Sequence, residues 1–555
     1  MPSFASDTVL SLGRREDHLA RLRADRFDLL VVGGGITGAG IALDAASRGL
    51  SVGLLEKGDF SVGTSSRSTK LVHGGLRYLA QYEFGLTREA LAERAILADL
   101  APGLVEWLPF VLPMIGGPVK MAWVGLGLLA YDVLANRRAP TLHRRLNRSE
   151  LRELAPGLDP RGLLGAYVYS DCRTDDSRLT LEVLRSAVAR GAVPANYAEV
   201  TTYLKAASGS PTPQVVGVEA VDRLCGERFE VRAKKVILAA GVWVDEMLKL
   251  DDPQAPPRIL PAKGVHLVVP RCRLGFDVAL FMPTAPDGRL VFVVPWLGET
   301  LIGTTDTEYQ QQLEAPEATA ADVDYLLASV NSAFPDANLT RGDVISVQAG
   351  LRPLVSAHAG STDAISREDK IVETASGLIA IVGGKLTIYR RMAERVVSLA
   401  YRRLRESGHL VADVGCLTDR IGLGAFAPGP MPTVEAVNLE ADTLDHLKRS
   451  YGRNAREVAR IASERPDLAQ RLVPGQPNVL AEVVYAARHD LAQTVADVLA
   501  RRAHVVQLDW TQGRPAAAAV ARLLCEEHGW DQSRVAVEAE RFESDIRQFT
   551  PIAVE

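Results

Sequence analysis

Apolar positions along this chain come in blocks whose period changes from one block to the next. Phe27 to Val32 is a short apolar run, suited to a strand buried on both faces. Ile36 to Arg48 has helical spacing and stops at Gly49, and Ser51 to Leu55 reads as a second strand. Helical patterns return at Leu86 to Leu100, with Glu89, Glu93, Arg94 and Asp99 on the polar side, and at Arg178 to Arg190, with Asp175, Asp176 and Ser177 as capping candidates. Two more cover Ala320 to Phe334, N-capped by Thr319, and Leu386 to Leu404. Strand patterns occupy Val215 to Val221 and Arg228 to Val231 as a hairpin, then Lys235 to Ala240, Asp343 to Ala349 and Leu378 to Val382. Pro261 to Thr305 alternates, with turn signals at Asp287-Gly288 and Gly298-Glu299, and predicts an antiparallel sheet. Past Gly422 the composition shifts. Ala425 to Pro432 reads as a linker, followed by helical patterns at Leu444 to Tyr451, Ala455 to Ser463, Leu480 to Leu499 and Arg514 to Phe549.

Where the first strand meets the first helix, Gly33, Gly35 and Gly38 form G-x-G-x-x-G, and Glu56 ends the second strand. A Cβ in that turn would block the approach of a pyrophosphate, and a carboxylate about 20 residues further on is placed for a ribose 2′-OH. This predicts a Rossmann-like dinucleotide site and leaves NAD and FAD both open. The stretch GTSSRSTKLVHGGLRY, Gly63 to Tyr78, follows soon after and packs many small donors beside the nucleotide fold, suiting a pyrophosphate and the polar edge of a flavin.

Composition narrows the classes. The chain has 555 residues, 47% hydrophobic and 24% charged, with net charge −5, which suits a globular protein of two or three domains and gives no support to nucleic-acid binding. Five scattered cysteines without a C-x-x-C fit a reducing compartment and argue against an iron–sulfur cluster or structural zinc, and no metal is expected. Residues 1–26 have no signal-peptide core and read as an exposed leader, so a cytoplasmic address is expected. Trp107 to Leu134 is the most apolar region, with Pro109, Pro113, Gly116, Gly117 and Pro118 breaking its first half. The run from Lys120 to Asp132 is shorter than the roughly 20 residues a bilayer requires. With Trp123, Tyr131 and the following Arg137, Arg138, Arg144, Arg145 and Arg148 it has the two signals of a peripheral membrane helix. A buried helix beside a solvated basic loop would have the same composition.

The serine-rich stretch, together with SDCRTDDSRL from Ser170, KGVHLVVPR from Lys263, VFVVPW, IGTTDTEY, GLRPL from Gly350, ISRE from Ile365 and VGGKLTIYR from Val382, resembles the FAD-dependent glycerol-3-phosphate dehydrogenases of the D-amino-acid-oxidase-like flavoprotein superfamily. The resemblance spans nearly the whole chain. It implies an α/β fold with a Rossmann-like FAD-binding domain, an antiparallel-sheet substrate domain and a C-terminal helical domain. Residues 27–424 would form the oxidoreductase, its FAD-binding part (about 27–106, 165–258 and 366–424) interleaved with a substrate and membrane part (about 107–164 and 259–365). Residues 433–555 would form the helical domain, with cover, homodimer formation or partner docking as its open roles.

The resemblance also implies oxidation of sn-glycerol 3-phosphate to dihydroxyacetone phosphate, with electrons passed to a membrane quinone and the protein peripheral on the inner face of the cell membrane. FAD would be held by Gly33, Gly35, Gly38, Glu56, Thr64, Ser65, Ser66, Lys70, His73, Gly74, Gly241, Gly384, Lys385, Leu386 and Thr387. Substrate would meet Arg77, Tyr78, His266, Arg352, Arg367 and Lys385. Arginine suits phosphate because its planar fork pairs with two oxygens, and Arg352, followed by Pro353 in a glycine-led turn, is favoured. His266 is the favoured base, with His73 as rival; Arg352 and Lys385 complete the catalytic set. An oxidase reducing dioxygen would share almost every motif. An amine or amino-acid oxidase would need one carboxylate-binding arginine instead of a cluster.

Overall fold

The structure, a computed structural model, describes residues 9–136, 138–207, 212–283, 289–355, 369–409, 414–434 and 439–552. Among these, an eight-stranded sheet and a ten-stranded sheet organise the molecule.

The first sheet is built on strand Arg26–Val32, which pairs in parallel with Val52–Leu55 on one side and Arg228–Leu238 on the other. Val193–Ala195 and Ile379–Val382 extend it in parallel, and Lys370–Glu373 closes one edge antiparallel. The inner strands are apolar throughout because both faces are covered. Helices Ile36–Ser47, Asp176–Val188 and Tyr389–Glu406 pack on one face, and the hairpin Ala198–Ala206/Gln214–Asp222 and helix Val244–Asp251 lie on the other.

The separate strands expected at Arg228 to Val231 and Lys235 to Ala240 are one, Arg228–Leu238. Its first half alternates buried and exposed residues and pairs antiparallel with the hairpin; its second half is buried on both faces and joins the parallel sheet. One strand serves two neighbours, and its residue pattern changes where the neighbour does.

The second sheet places Ile259–Val269 between Ser346–Val355 and Glu299–Gly303, all antiparallel. Arg352 therefore sits inside a regular strand opposite Ala262, not in a glycine-led turn. Pro353 is opposite Pro261, so two residues lacking N–H groups face each other. Val105–Ile115 pairs along its length with Leu163–Thr174 and runs straight through Pro109 and Pro113.

Helix Pro118–Leu134 rests on these two strands. Met121, Leu128 and Tyr131 are buried beneath it, while Val119, Trp123, Leu126, Leu129 and Val133 face outward, with Val119 70% and Trp123 69% exposed. Among the described residues no helix is long and apolar enough to cross a membrane.

Three further expectations need correction. The leader is not simply exposed: helix Arg15–Ala24 buries His18, Leu19 and Leu22, Arg15 forks onto Asp222, and Leu12 donates to the carbonyl of His489. The polar side assigned to helix Phe84–Leu100 is partly interior, because Arg94 is paired with Asp171 and Glu93 with Arg390. The single helix expected from Leu480 to Leu499 is broken at Asp490, and Leu491 turns into the left-handed region at φ 54°. Asp490 there meets Arg178 and Arg185 of the nucleotide-binding part, which a continuing helix would not allow. The helical region otherwise has its own apolar core.

Candidate active site

A cavity of about 730 Å³ runs from the glycine turn to the second sheet. At its nucleotide end the turn is tight. A Cβ on Gly33, whose φ is +115°, would lie 2.4 Å from the carbonyl oxygen of Ala239, and one on Gly38 would lie 1.9 Å from that of Gly33. Gly35 ends the turn, and the first helical N–H, on Ile36, donates to Ser65 Oγ at 2.9 Å. Glu56 accepts from Gly34 N at 2.6 Å and from Gly58 N at 2.8 Å. Burial raises its pKa, and those two N–H groups partly offset the rise. A helix start beside glycine, facing a carboxylate at the next strand end, suits an adenosine diphosphate moiety.

At the far end, strand Ile379–Val382 delivers Gly383 and Gly384 to the cavity. Gly384 has φ +117°, and a Cβ there would lie 2.1 Å from Met392 Cε, so only glycine fits. The chain then enters the turn Leu386–Ile388 and the long helix Tyr389–Glu406. That helix start aims partial positive charge at the cavity, beside the Lys385 ammonium, which lies 3.8 Å from the centre of the Tyr78 ring. Thr387 Oγ1 accepts from His73 N at 3.1 Å and ties the serine-rich loop to this end. Arg352 donates to Asp306 Oδ1 at 3.1 Å and to Thr304 Oγ1 at 2.9 Å.

Of the residues singled out from sequence, Gly33, Gly35, Glu56, Thr64, Ser65, His73, Tyr78, Gly241, Arg352, Gly384, Lys385, Leu386 and Thr387 line this one cavity. Lys70 does not: it is buried behind the loop, donating to Asp176 at 2.7 Å and to the Ser66 carbonyl at 2.6 Å. Ser66 is likewise off the lining, and so is Gly74, whose N–H donates to Asp171 Oδ1 at 3.0 Å and whose missing Cβ leaves room for Leu91 and Tyr131. Gly38 sits behind the turn it closes. His266 is 2% exposed and lies one residue behind the wall, its Nε2 2.9 Å from Thr69 Oγ1. Burial pushes its pKa down to about 3, with Arg352 and Lys70 adding to the effect, so the imidazole is neutral. The Arg77 side chain and Arg367 lie outside the described residues.

Sequence reasoning missed Thr69, Asp171, Arg289 and Thr304, all on the lining. Asp171 and Thr304 stand within motifs already noted, and Thr69 is in the serine-rich stretch; isolated residue types there gave no sign of which hydroxyl or carboxylate turns inward. Arg289 follows Asp287-Gly288, a turn signal that masked it.

The sheet, the glycine cradle and the donors at the far end define an FAD-dependent oxidoreductase. Residues 28–390 match the FAD dependent oxidoreductase family, and residues 379–535 match the C-terminal domain of alpha-glycerophosphate oxidase. The chain belongs to the family of aerobic glycerol-3-phosphate dehydrogenases. It is 38% identical to the aerobic glycerol-3-phosphate dehydrogenase of Bacillus subtilis (strain 168) over 535 residues, 93% of this chain and 94% of that one. Identity to the protein of the same name from Staphylococcus aureus (strain USA300) is also 38%, over 89% of each chain. The structure of the glycerol-3-phosphate dehydrogenase from Bacillus halodurans complexed with FAD superposes with a TM-score of 0.79 at 34% identity, covering 99% of this chain and all of that one. The L-alpha-glycerophosphate oxidase of Mycoplasma pneumoniae shares the fold at 19% identity, with a TM-score of 0.52 over 68% of this chain and 95% of that one.

Proposed function

We propose that this protein oxidises sn-glycerol 3-phosphate to dihydroxyacetone phosphate and hands the electrons to a quinone at a membrane surface. The observation that carries the reading is that Arg352 and Lys385 both line the cavity, Lys385 beside a glycine-opened helix start. FAD, when bound, supplies the hydride acceptor. Gly33, Gly35, Glu56, Thr64 and Ser65 would hold its adenosine diphosphate part, and the Gly383–Gly384 turn and Lys385 would favour negative charge at the polar edge of its ring. Arg352 offers a planar fork for the substrate phosphate, with its partner Asp306 holding it in place until then. Arg367 and Arg77 remain candidates for the same phosphate. A single carboxylate on an amino-acid substrate would not call for this concentration of cations.

Anaerobic mixing with glycerol 3-phosphate should bleach the oxidised flavin band. No bleaching, with bleaching by D-amino acids or sarcosine, would sink the reading. Re-oxidation by a soluble quinone analogue faster than by dioxygen supports the quinone; rapid peroxide formation instead would make the protein an oxidase.

Membrane contact rests on helix Pro118–Leu134. Val119, Trp123, Leu126, Leu129 and Val133 form one outward apolar stripe, and exposed Arg138, Arg144 and Arg145 follow. This is the arrangement of an interfacial helix on anionic lipid. Co-sedimentation with phosphatidylglycerol vesicles at low salt should fall at least about tenfold in a Trp123→Asp, Leu126→Asp double variant, since each buried apolar side chain contributes about 1.5–3 kcal/mol. Wild-type protein that ignores such vesicles would remove the membrane from the proposal.

A further inference from the structure

The favoured base, His266, does not reach the cavity, and the geometry shows what stands between. Its ring lies against the backbone of Gly303, where a Cβ would come within 2.2 Å of Cδ2. Nε2 meets Thr69 Oγ1 at 2.9 Å, and the buried Nδ1 has no hydrogen-bond partner among the described residues. Thr69 itself lines the cavity, alongside Thr304 and Arg352.

The backbone around Thr69 is fixed from both sides by one carboxylate. Asp176 accepts from Ser68 N at 3.1 Å and Ser68 Oγ at 2.7 Å, and from Lys70 Nζ at 2.7 Å. Asp176 is fully buried at the start of helix Asp176–Val188. The serine-rich loop thus presents one hydroxyl to a buried neutral imidazole and holds the residues before and after it. A threonine hydroxyl has one proton to give and lone pairs to accept another, so it can connect two groups that do not touch.

We propose that Thr69 is the hydroxyl through which His266 acts on the substrate. The C2 hydroxyl of glycerol 3-phosphate gives its proton to Thr69 Oγ1 while Thr69 gives its own to His266 Nε2. The C2–H bond breaks with its electron pair leaving as hydride to the oxidised flavin, and the C2–O bond becomes a carbonyl. The substrate loses two electrons and two hydrogens; one proton rests on the imidazole and, after product leaves, passes through Thr69 to solvent entering the cavity. The order of charges favours this. Burial is the main reason the imidazole is unprotonated, with Arg352 and Lys70 adding to it; Lys70 is already paired with Asp176, and a phosphate on Arg352 offsets the other cation. The proton affinity of His266 therefore rises when substrate arrives.

This inference rests on the function proposed above, and one experiment separates the two. Flavin reduction by glycerol 3-phosphate is followed anaerobically in H₂O and D₂O for wild type, Thr69→Val and Thr69→Ser, with FAD content measured for each. The ¹⁵N-histidine spectrum of each protein, taken without substrate, reports the bond at His266 Nε2. Thr69→Val should retain FAD, shift the His266 Nε2 resonance and reduce flavin at least about 100-fold more slowly, the usual range for a lost proton-transfer partner. Thr69→Ser should recover to within about tenfold, with the wild-type solvent isotope effect. Wild-type speed in Thr69→Val, or equal slowing in Thr69→Val and Thr69→Ser, overturns the relay while leaving the substrate reading intact. Failure of wild type to be reduced overturns both.

Discussion

At the junction with the C-terminal helices, four buried carboxylates, Asp59, Glu182, Asp490 and Asp497, face four buried guanidiniums, Arg178, Arg185, Arg501 and Arg502. On the wall of the cavity, the equally buried His266 keeps one ring nitrogen without a partner among the described residues. The junction pairs its charges within itself: every member has an opposite charge within 3.3 Å, and Asp497 also accepts from Tyr197 Oη at 2.6 Å and Gln493 N at 2.7 Å, although Glu182 Oε1, Arg185 Nε and Arg502 Nε make no hydrogen bond among the described residues. The cavity wall has its cation Arg352 only half-buried beside Asp306, and its histidine neutral. Burial is shared by the two regions, but only the junction completes its charge pairing inside the protein, because the Arg352–Asp306 pair of the wall opens to the cavity. A buried ion network whose charges are all paired fixes how two regions pack, whereas a cation that opens to a cavity is where a charged ligand can complete the bonding.

The largest expected effect comes from breaking the complete side. Asp59→Ala removes the carboxylate that receives Arg501 and Arg502, leaving two charges in the interior with less compensation. Unfolding free energy should fall by about 3–5 kcal/mol, the cost of losing one partner from a buried pair. A thermal midpoint equal to wild type would show that the junction carries no weight. Breaking the incomplete side should do the reverse. Arg352→Ala should lower kcat/KM for glycerol 3-phosphate by about 10²–10³, or roughly 3–4 kcal/mol, mostly through KM, because a charged partner of the phosphate is lost. Its stability should change by less than about 1 kcal/mol, since the Arg352–Asp306 pair is partly exposed, with side chains 29% and 33% accessible. Arg352→Lys should recover only part of the loss, because an ammonium cannot form the planar fork. Equal losses of stability in Asp59→Ala and Arg352→Ala would erase the comparison.

The incomplete side was the more legible one in the amino-acid sequence. Gly33, Gly35, Gly384 and Lys385 advertise themselves because glycines at a strand end and a lysine after a glycine pair have few ordinary explanations. Thr69 did not, since a hydroxyl among several gives no sign of which one turns inward; that depends on Asp176, over 100 positions away, holding its neighbours. His266 was legible as a strand histidine, but its depth was not, because it follows from the absence of a side chain on Gly303 across the sheet. The junction was invisible. Asp490 read as a polar position of a continuous helix and Arg501 and Arg502 fell in no predicted element; only their partners on the nucleotide-binding part turn them inward.

His266 also offers the smallest and sharpest test, because pH reads its environment directly. In the unfolded chain the imidazole takes a proton near pH 6.5, whereas in the folded chain burial beside Arg352 and Lys70 postpones protonation to about 3. Between those values the unfolded state binds more protons, so stability falls as pH drops from about 6.5 towards 3. From pH 7 to pH 5 this one group should cost about 2 kcal/mol. Other groups titrate over the same span, so the measurement is a difference: denaturant unfolding of wild type and His266→Gln at pH 7 and pH 5, with FAD held constant. The variant should lose about 2 kcal/mol less than wild type between the two pH values. Saturating glycerol 3-phosphate under conditions that prevent turnover should shrink that difference in part, because a phosphate on Arg352 offsets one of the two cations that add to the effect of burial. Parallel pH profiles for the two proteins would mean that His266 is solvated, and would place the incomplete bonding of the cavity wall elsewhere.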